Sequence, residues 1–313
     1  MIRFLSTISK YCFFLLSLCL PILTHATSKQ TKYVTFLLKQ RLILIDVVIA
    51  EEQGYFLLDT GMDDLILNQN YFEGTASGQS VTGLNQEISN LETTLVNLEM
   101  GNLTFSGKRG KIMDLSFLEN HLGEKVMGIC GVRLFQKYEW VIHYRKGVIE
   151  LFPLNKKGIP MDQDKELPDQ ILPLRKQRHL LFVEAKLGQQ SLMLGMDTGA
   201  STTLIDDQNL VLNNYEVRGQ CRVQSIGGKP IITESGILKQ LEIGRVKLDK
   251  TRISRTSLKY INQKYAGISV DGIFNPIILR RGTIGINWKQ KLLYIWEDAE
   301  KEEDIIIAEL VEF

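Results

Sequence analysis

One short pattern occurs twice in this chain of 313 residues: an apolar run that ends in Asp-Thr-Gly. The first copy is Leu57-Leu58-Asp59-Thr60-Gly61, and the second is Leu194-Gly195-Met196-Asp197-Thr198-Gly199. A lone Asp-Thr-Gly is expected by chance in roughly one chain of this length in fifteen, so the recurrence is what constrains the fold. It predicts two related halves, each of which carries one aspartate into a tight turn at the end of a strand.

The sequence around the two motifs repeats as well. Lys176-Gln177-Arg178 matches Lys39-Gln40-Arg41 at an offset of 137 residues, and the two motif aspartates are 138 residues apart. Later in each half, Gly128 and Gly272 lie 144 residues apart, and each is followed by a strand, a basic turn and another strand. We therefore expect an internal duplication.

The segments between the motifs indicate an all-β protein. Short runs rich in Val, Ile and Leu are separated by Gly, Asn and Asp, which is typical of strands and turns. Helical patterning is limited to the regions near Leu115–Leu122 and Gln263, and the acidic stretch after Glu297 is either helical or solvated. Residues 156–170 are charged, contain glycine and proline and lack an apolar period, as a linker does. The predicted organisation is an N-terminal lobe at 27–155 and a C-terminal lobe at 171–313.

The amino terminus has the composition of a secretory signal. Arg3 and Lys10 are followed by an apolar run from Tyr11 to Leu23 and by small residues up to Ala26, so we expect cleavage after Ala26 and an exported protein, periplasmic or secreted. An uncleaved anchor is the alternative, but the run is short for a membrane span. We expect no integral span in the mature chain.

Charge and cysteine content exclude several classes of protein. The formal net charge is +1 and no basic block is present, so nucleic acid is not expected as a partner. Outside the signal only Cys130 and Cys221 remain; a single bridge between them is one alternative, and a buried thiol at Cys130 is the other. His121, His143 and His179 show no ligand spacing and are interpreted as surface or strand residues, so no metal and no cofactor are expected.

The residues of the motif suit acid-base chemistry by a carboxylate. A carboxylate that must move protons needs a fixed position, a desolvated setting and a neighbouring group that makes the pKa values of the two groups differ. The hydroxyls of Thr60 and Thr198 can bond the backbone of the facing loop. Gly61 and Gly199 leave room for substrate and tolerate positive φ.

These motifs resemble those of the retropepsin-like, or retroviral-protease-like, aspartic proteases. The segment 57–64 is similar to the active-site signature of retroviral proteases, the segment 197–201 to that of bacterial retropepsin-like proteins, and Ile129-Cys130-Gly131 to the second mark of the family. The resemblance covers 34–152 and 172–296. It implies two β-barrel lobes related by a pseudo-two-fold axis, and cleavage of a peptide or protein by a water held between Asp59 and Asp197.

The resemblance also implies flaps over a peptide-binding cleft. We place their tips at Gly83 and at Gly227-Gly228. Ala200 is expected in the cleft, and Asp63 either contacts the substrate backbone or forms a salt bridge within its turn.

Departures from the family leave alternatives open. Met62 and Ala200 follow the two motifs where a hydroxyl would bond an ionised aspartate, so we expect a weakly acidic to neutral pH optimum. Asn275 replaces a glycine, and its tolerance of the left-handed conformation would preserve the turn. The chain is expected to be a monomer that pairs its lobes internally, with a homodimer as the alternative. A catalytically inactive peptide-binding or scaffolding protein of the cell envelope is the alternative function.

Overall fold

The computed structural model describes residues 32–84, 86–162, 166–208, 215–265, 267–279 and 282–297. The predicted signal peptide and the acidic carboxyl-terminal stretch lie outside these residues, apart from Glu297 itself. No helix in the described ranges has the length and apolar character that a membrane crossing requires.

The N-terminal half is built almost entirely from strands. Its elements are β1 (Lys32–Lys39), β2 (Leu42–Ile49), β3 (Glu52–Leu58), β4 (Leu65–Asn68), β5 (Thr75–Thr82), β6 (Glu87–Met100), β7 (Leu103–Met113), α1 (Ser116–Leu122), β8 (Val126–Cys130), β9 (Tyr138–His143) and β10 (Val148–Pro153).

The C-terminal half repeats this order. Its elements are β11 (Gln170–Pro173), β12 (Arg175–Gln177), β13 (Leu180–Leu187), β14 (Gln190–Met196), β15 (Thr203–Asp206), β16 (Tyr215–Val223), β17 (Ile231–Leu238), β18 (Leu241–Ile243), β19 (Val246–Leu248), β20 (Thr251–Thr256), α2 (Lys259–Lys264), β21 (Gly272–Phe274), β22 (Gly282–Asn287) and β23 (Leu292–Glu297).

Six strands of the N-terminal half form a closed barrel. Their order is β2-β3-β8-β4-β7-β6, and a pairing of Val48 with Glu99 joins β6 back to β2. The long strand β6 alternates buried and exposed side chains over its second half, with Val96, Leu98 and Met100 facing inwards. This period of two lets the strand cover a core on one face and meet solvent on the other.

The C-terminal half keeps the strand order but forms a curled sheet. The sequence β13-β14-β21-β15-β20-β17 corresponds to that of the barrel. The counterpart of β6 is divided into β17 and β18 at Gln240, which has a φ of 61°. The counterpart of β7 is likewise divided into β19 and β20. Two interruptions in the long strands therefore open a barrel that continuous strands close in the other half.

A shared sheet joins the two halves. Strands β9 and β22 pair in antiparallel register, with Val141 opposite Gly285, and the rings of Trp140 and Trp288 pack with centroids 4.4 Å apart. One hydrophobic core runs through both halves. Its largest fully buried side chains include Trp140, Phe56, Phe135 and Phe274.

The all-β, two-lobed fold class is confirmed, and both predicted short helices are present as α1 and α2. Cys130 is buried, Cys221 is half-buried, and both are free thiols. The exact lobe boundaries stay a prediction.

Candidate active site

Each motif aspartate directly follows an interior strand, and its amide bonds the strand that lies parallel to it. Strand β3 lies parallel to β8, and the amide of Asp59 donates to the carbonyl of Cys130 at 3.1 Å. Strand β14 lies parallel to β21, and the amide of Asp197 donates to the carbonyl of Phe274 at 2.9 Å. The apolar run before each motif is therefore an interior strand, which fixes where its carboxylate emerges.

Four hydrogen bonds between Thr60 and Thr198 and their neighbours lock the two loops together. Each threonine amide donates to the hydroxyl of the other threonine, at 3.1 Å from Thr60 N and 3.0 Å from Thr198 N. The Thr198 hydroxyl donates to the carbonyl of Leu58 at 2.7 Å, and the Thr60 hydroxyl donates to that of Met196 at 3.1 Å. We call this set of bonds the threonine lock. Both threonines are almost completely buried, so the predicted contact of each hydroxyl with the facing loop is present.

The motif glycines are required because the loops approach each other closely. A Cβ atom on Gly61 would lie 2.8 Å from Cγ of Asp197, and one on Gly199 would lie 2.6 Å from Cγ of Asp59. Neither glycine has a positive φ, so the conformational reason inferred from sequence is wrong. Each glycine instead makes room for the carboxylate of the opposite lobe.

The two carboxyl groups have different surroundings. Asp197 Oδ1 accepts the amides of Gly199 at 2.8 Å and Gly61 at 3.2 Å, whereas Asp59 Oδ1 is buried without a hydrogen-bond partner among the described residues. Burial raises the pKa of both groups, and the charge and hydrogen bond of Asp197 raise the pKa of Asp59 further. Backbone amides oppose this rise at both groups, and the hydrogen bond with Asp59 lowers the pKa of Asp197 further. The arrangement therefore favours a protonated Asp59 beside an ionised Asp197.

The predicted flap residues lie at the tips of two hairpins. Gly83 follows β5 and turns towards β6 through a bond from its amide to Gln86 O at 2.8 Å. Gly227 and Gly228 lie between β16 and β17, and the amide of Gly228 donates to Ser225 O at 3.0 Å. Both hairpins therefore exist where the glycines predicted them.

The two hairpin tips contact each other and reach across to the opposite lobe. Gln86 donates through Nε2 to Gly227 O. Ile226, in the second tip, packs against an apolar cluster of the N-terminal half, while Leu84, in the first tip, packs against a cluster of the C-terminal half. Lys264 of α2 forms a 2.8 Å salt bridge with Glu87 of β6. Each tip thus rests on the lobe that it does not belong to.

This geometry has a counterpart among solved structures. The fold is that of an aspartic proteinase. The crystal structure of the aspartic proteinase from Irpex lacteus superposes with a TM-score of 0.53, covering 87% of this chain and 99% of that chain at 13% sequence identity. No protein-family model and no curated protein matches the sequence. The likeness shows the fold alone.

A cleft of about 460 Å³ lies beside the Asp-Thr-Gly motif of the N-terminal lobe. Its lining includes Gly61, Met62, Asp63, Arg133, His179 and Tyr265. Of the two interpretations of Asp63, the salt bridge is present: Arg133 contacts Asp63, and it also reaches Asp64 at 3.0 Å. Met62 is buried in the apolar cluster beneath.

Asn275 and Ala200 hold the second motif in place. The side-chain amide of Asn275 donates to Ala200 O at 2.8 Å, to Thr198 O at 3.2 Å and to Arg41 O at 3.0 Å. Its φ is not positive, so the left-handed turn expected at this position is absent. Asn275 replaces a glycine and bonds the loop through its side chain. Ala200 donates its amide to Asp197 O at 3.3 Å.

His179 was not recognised as a site residue from sequence. It lies in the turn between β12 and β13, and its Nε2 is 2.9 Å from the carbonyl of Gly61 in the other lobe. Trp288 Nε1 donates to its carbonyl at 3.2 Å, and the ring of Tyr265 meets its ring edge-on. The sequence signal that could have drawn attention to His179 was its position directly after the repeated Lys-Gln-Arg triplet, two residues after Gln177. No cluster of three potential metal ligands exists in the part of the chain that the structure describes.

Proposed function

We propose that this chain is an aspartic endopeptidase of the retropepsin-like type, duplicated within one chain, with Asp59 and Asp197 as its catalytic residues. The observation that carries the proposal is the threonine lock, which sets two buried carboxyl groups of unequal pKa against each other. A water between them would lose a proton to Asp197 as it attacks a peptide carbonyl. Protonated Asp59 would donate to the carbonyl oxygen. Asp197, which then carries the proton from the water, would donate it to the leaving nitrogen while Asp59 takes a proton back from the former carbonyl oxygen and the C–N bond breaks.

Several further features support this proposal. The cleft is lined by Gly61 of the first motif and by Ser80, Val81 and Thr82 of the first hairpin, as expected of a substrate channel beneath a flap. Both aspartates come from one chain, so we propose a monomer that needs no second copy to complete its site. We also propose export, on the signal-like composition of residues 1–26.

The test is cleavage of a fluorogenic peptide library by the wild-type protein and two variants. Asp59→Asn and Asp197→Asn each remove an ionisable group with little change of shape. We expect either change to lower kcat by at least about a thousandfold, because each removes one partner of the proton transfer. Asp206→Asn is the matched control, since Asp206 is also buried and has a raised pKa, but bonds the amide of Leu258 instead.

The outcomes separate an enzyme from a binding protein. Full activity in either Asp59→Asn or Asp197→Asn contradicts the shared-proton mechanism. Peptide binding without cleavage by wild-type protein, with all variants folded by circular dichroism, supports the inactive peptide-binding alternative.

A further inference from the structure

The carboxylates in the cleft beside Asp59 are neutralised by neighbouring cations. Arg133 bridges Asp63 and Asp64, and Lys111 donates to Asp64 at 2.5 Å and to the carbonyl of Ser80 in β5 at 2.7 Å. The Lys111 side chain is 11% exposed. Since partly buried pairs are screened less than exposed ones, these two carboxylates present little net negative charge to the cleft.

Two further cations line the same cleft from the opposite lobe. Lys176 and Arg178 belong to the turn region of β12 and β13, and both border the cleft. Among the described residues, neither is paired with a carboxylate. The Arg178 guanidinium lies 5.4 Å from the centroid of the Tyr265 ring. This cation–π contact holds the guanidinium beside the ring and leaves N–H groups available for a carboxylate.

The positions equivalent to these two cations in the N-terminal half are uncharged. The strand registers follow the 138-residue offset of the two motif aspartates, one residue away from the match of the two Lys-Gln-Arg triplets. In this register Leu38 is the counterpart of Lys176, Gln40 is that of Arg178, and Arg41 is that of His179. The duplicated motifs make Ser201 the counterpart of Asp63. At these two positions the related half therefore has no cation, so the duplicated halves differ in charge at this end of the cleft.

From these contacts we infer that the end of the cleft formed by Arg133, Lys176 and Arg178 is a subsite for a carboxylate of the substrate peptide. The subsite rests on the proposed function and adds a direction to it, because a peptide with one acidic group would bind in a single orientation. The carboxylate is either a Glu or Asp side chain or the free end of a peptide. Both would receive a bidentate contact from Arg178.

The experiment compares peptides that differ only in this charge. A library with Glu or Gln at each position flanking the cleaved bond is presented to the full-length protein, and one set carries an amidated carboxyl terminus. We expect Glu over Gln at one position to raise kcat/KM about fivefold, the size of a partly exposed ion pair. Raising the salt concentration to about 0.5 M should reduce that ratio, because mobile ions screen it. A Glu/Gln ratio near one, combined with a similar fall in kcat/KM when the carboxyl terminus is amidated, assigns the carboxylate to the chain end.

The variant Arg178→Gln carries the residue type of its counterpart Gln40. It should bring the ratio of kcat/KM for Glu and Gln peptides close to one. Lys247→Gln removes an exposed cation of β19 outside the cleft and should leave the ratio unchanged. A wild-type Glu/Gln ratio near one, with no effect of amidating the carboxyl terminus, overturns the subsite while cleavage itself upholds the endopeptidase. If wild-type protein cleaves nothing, fluorescence anisotropy with the same labelled peptides decides: tighter binding of Glu peptides that Arg178→Gln removes supports the subsite, and equal binding refutes it.

Discussion

Replacing Thr198 by valine tests whether the threonine lock holds the two lobes together. Valine has nearly the shape of threonine, so the change removes a hydroxyl without opening a cavity. The hydroxyl accepts from Thr60 N at 3.1 Å and donates to Leu58 O at 2.7 Å. Because Thr198 is completely buried, water cannot replace either partner in the folded protein.

The expected loss follows from the two groups that are left without partners. A buried donor or acceptor that loses its hydrogen bond costs about 1–3 kcal/mol. With one donor and one acceptor affected, we expect the free energy of unfolding to fall by about 3 kcal/mol. That is a large part of the total stability of about 5–15 kcal/mol found for folded domains.

Urea denaturation followed by tryptophan fluorescence measures this change. Thr198→Ser keeps the hydroxyl and should recover most of the loss. Thr203→Val is the matched control, because Thr203 is equally buried in a nearby strand and its hydroxyl takes no part in the lock; we expect it to cost less than about 1 kcal/mol. The reasoning is refuted if Thr198→Val costs no more than the control, or if Thr198→Ser fails to restore stability.

Two further predictions concern activity. The working state needs an ionised Asp197 and a protonated Asp59, so activity is lost as the pH falls through the pKa of Asp197 or rises through the pKa of Asp59. Since both pKa values lie above the usual value, kcat/KM should peak in the weakly acidic to neutral range. A maximum near about pH 2–3 contradicts the assignment. His179→Phe removes the contact with Gly61 O and should lower kcat/KM by about threefold to tenfold, the equivalent of one hydrogen bond. His179→Gln, whose amide can donate to the same carbonyl, should keep most of the activity, and equal losses in the two variants would rule out this positioning role.

Much of the fold could be predicted from the sequence because the two halves constrain each other. A single Asp-Thr-Gly carries little information, but a second copy with matching flanks identifies corresponding strands. Short runs of Val, Ile and Leu between Gly, Asn and Asp predicted the strands, and amphipathic patterning predicted the two short helices. The glycines at 83, 227 and 228 predicted both hairpin tips, since turn formation depends on local conformation.

What sequence reasoning missed depends on contacts between residues far apart in the chain. His179 and Gly61 are brought together only when the lobes pair, and no local pattern indicates that contact. The same holds for Asn275, which proved to be a hydrogen-bond donor to three carbonyls and not a glycine substitute in a left-handed turn. The salt bridge from Arg133 to Asp63 likewise depends on the loop that follows β8.

The sequence by itself determined the two aspartates, their threonines and glycines, and the duplicated order of strands. Those properties are local, because they depend on residue type, on spacing and on the period of apolar positions. Only the tertiary structure decided how the two carboxyl groups differ. Asp197 Oδ1 accepts the amides of Gly199 and Gly61, whereas Asp59 Oδ1 accepts none from the described residues. The Gly61 amide reaches Asp197 only because the two loops pack against each other.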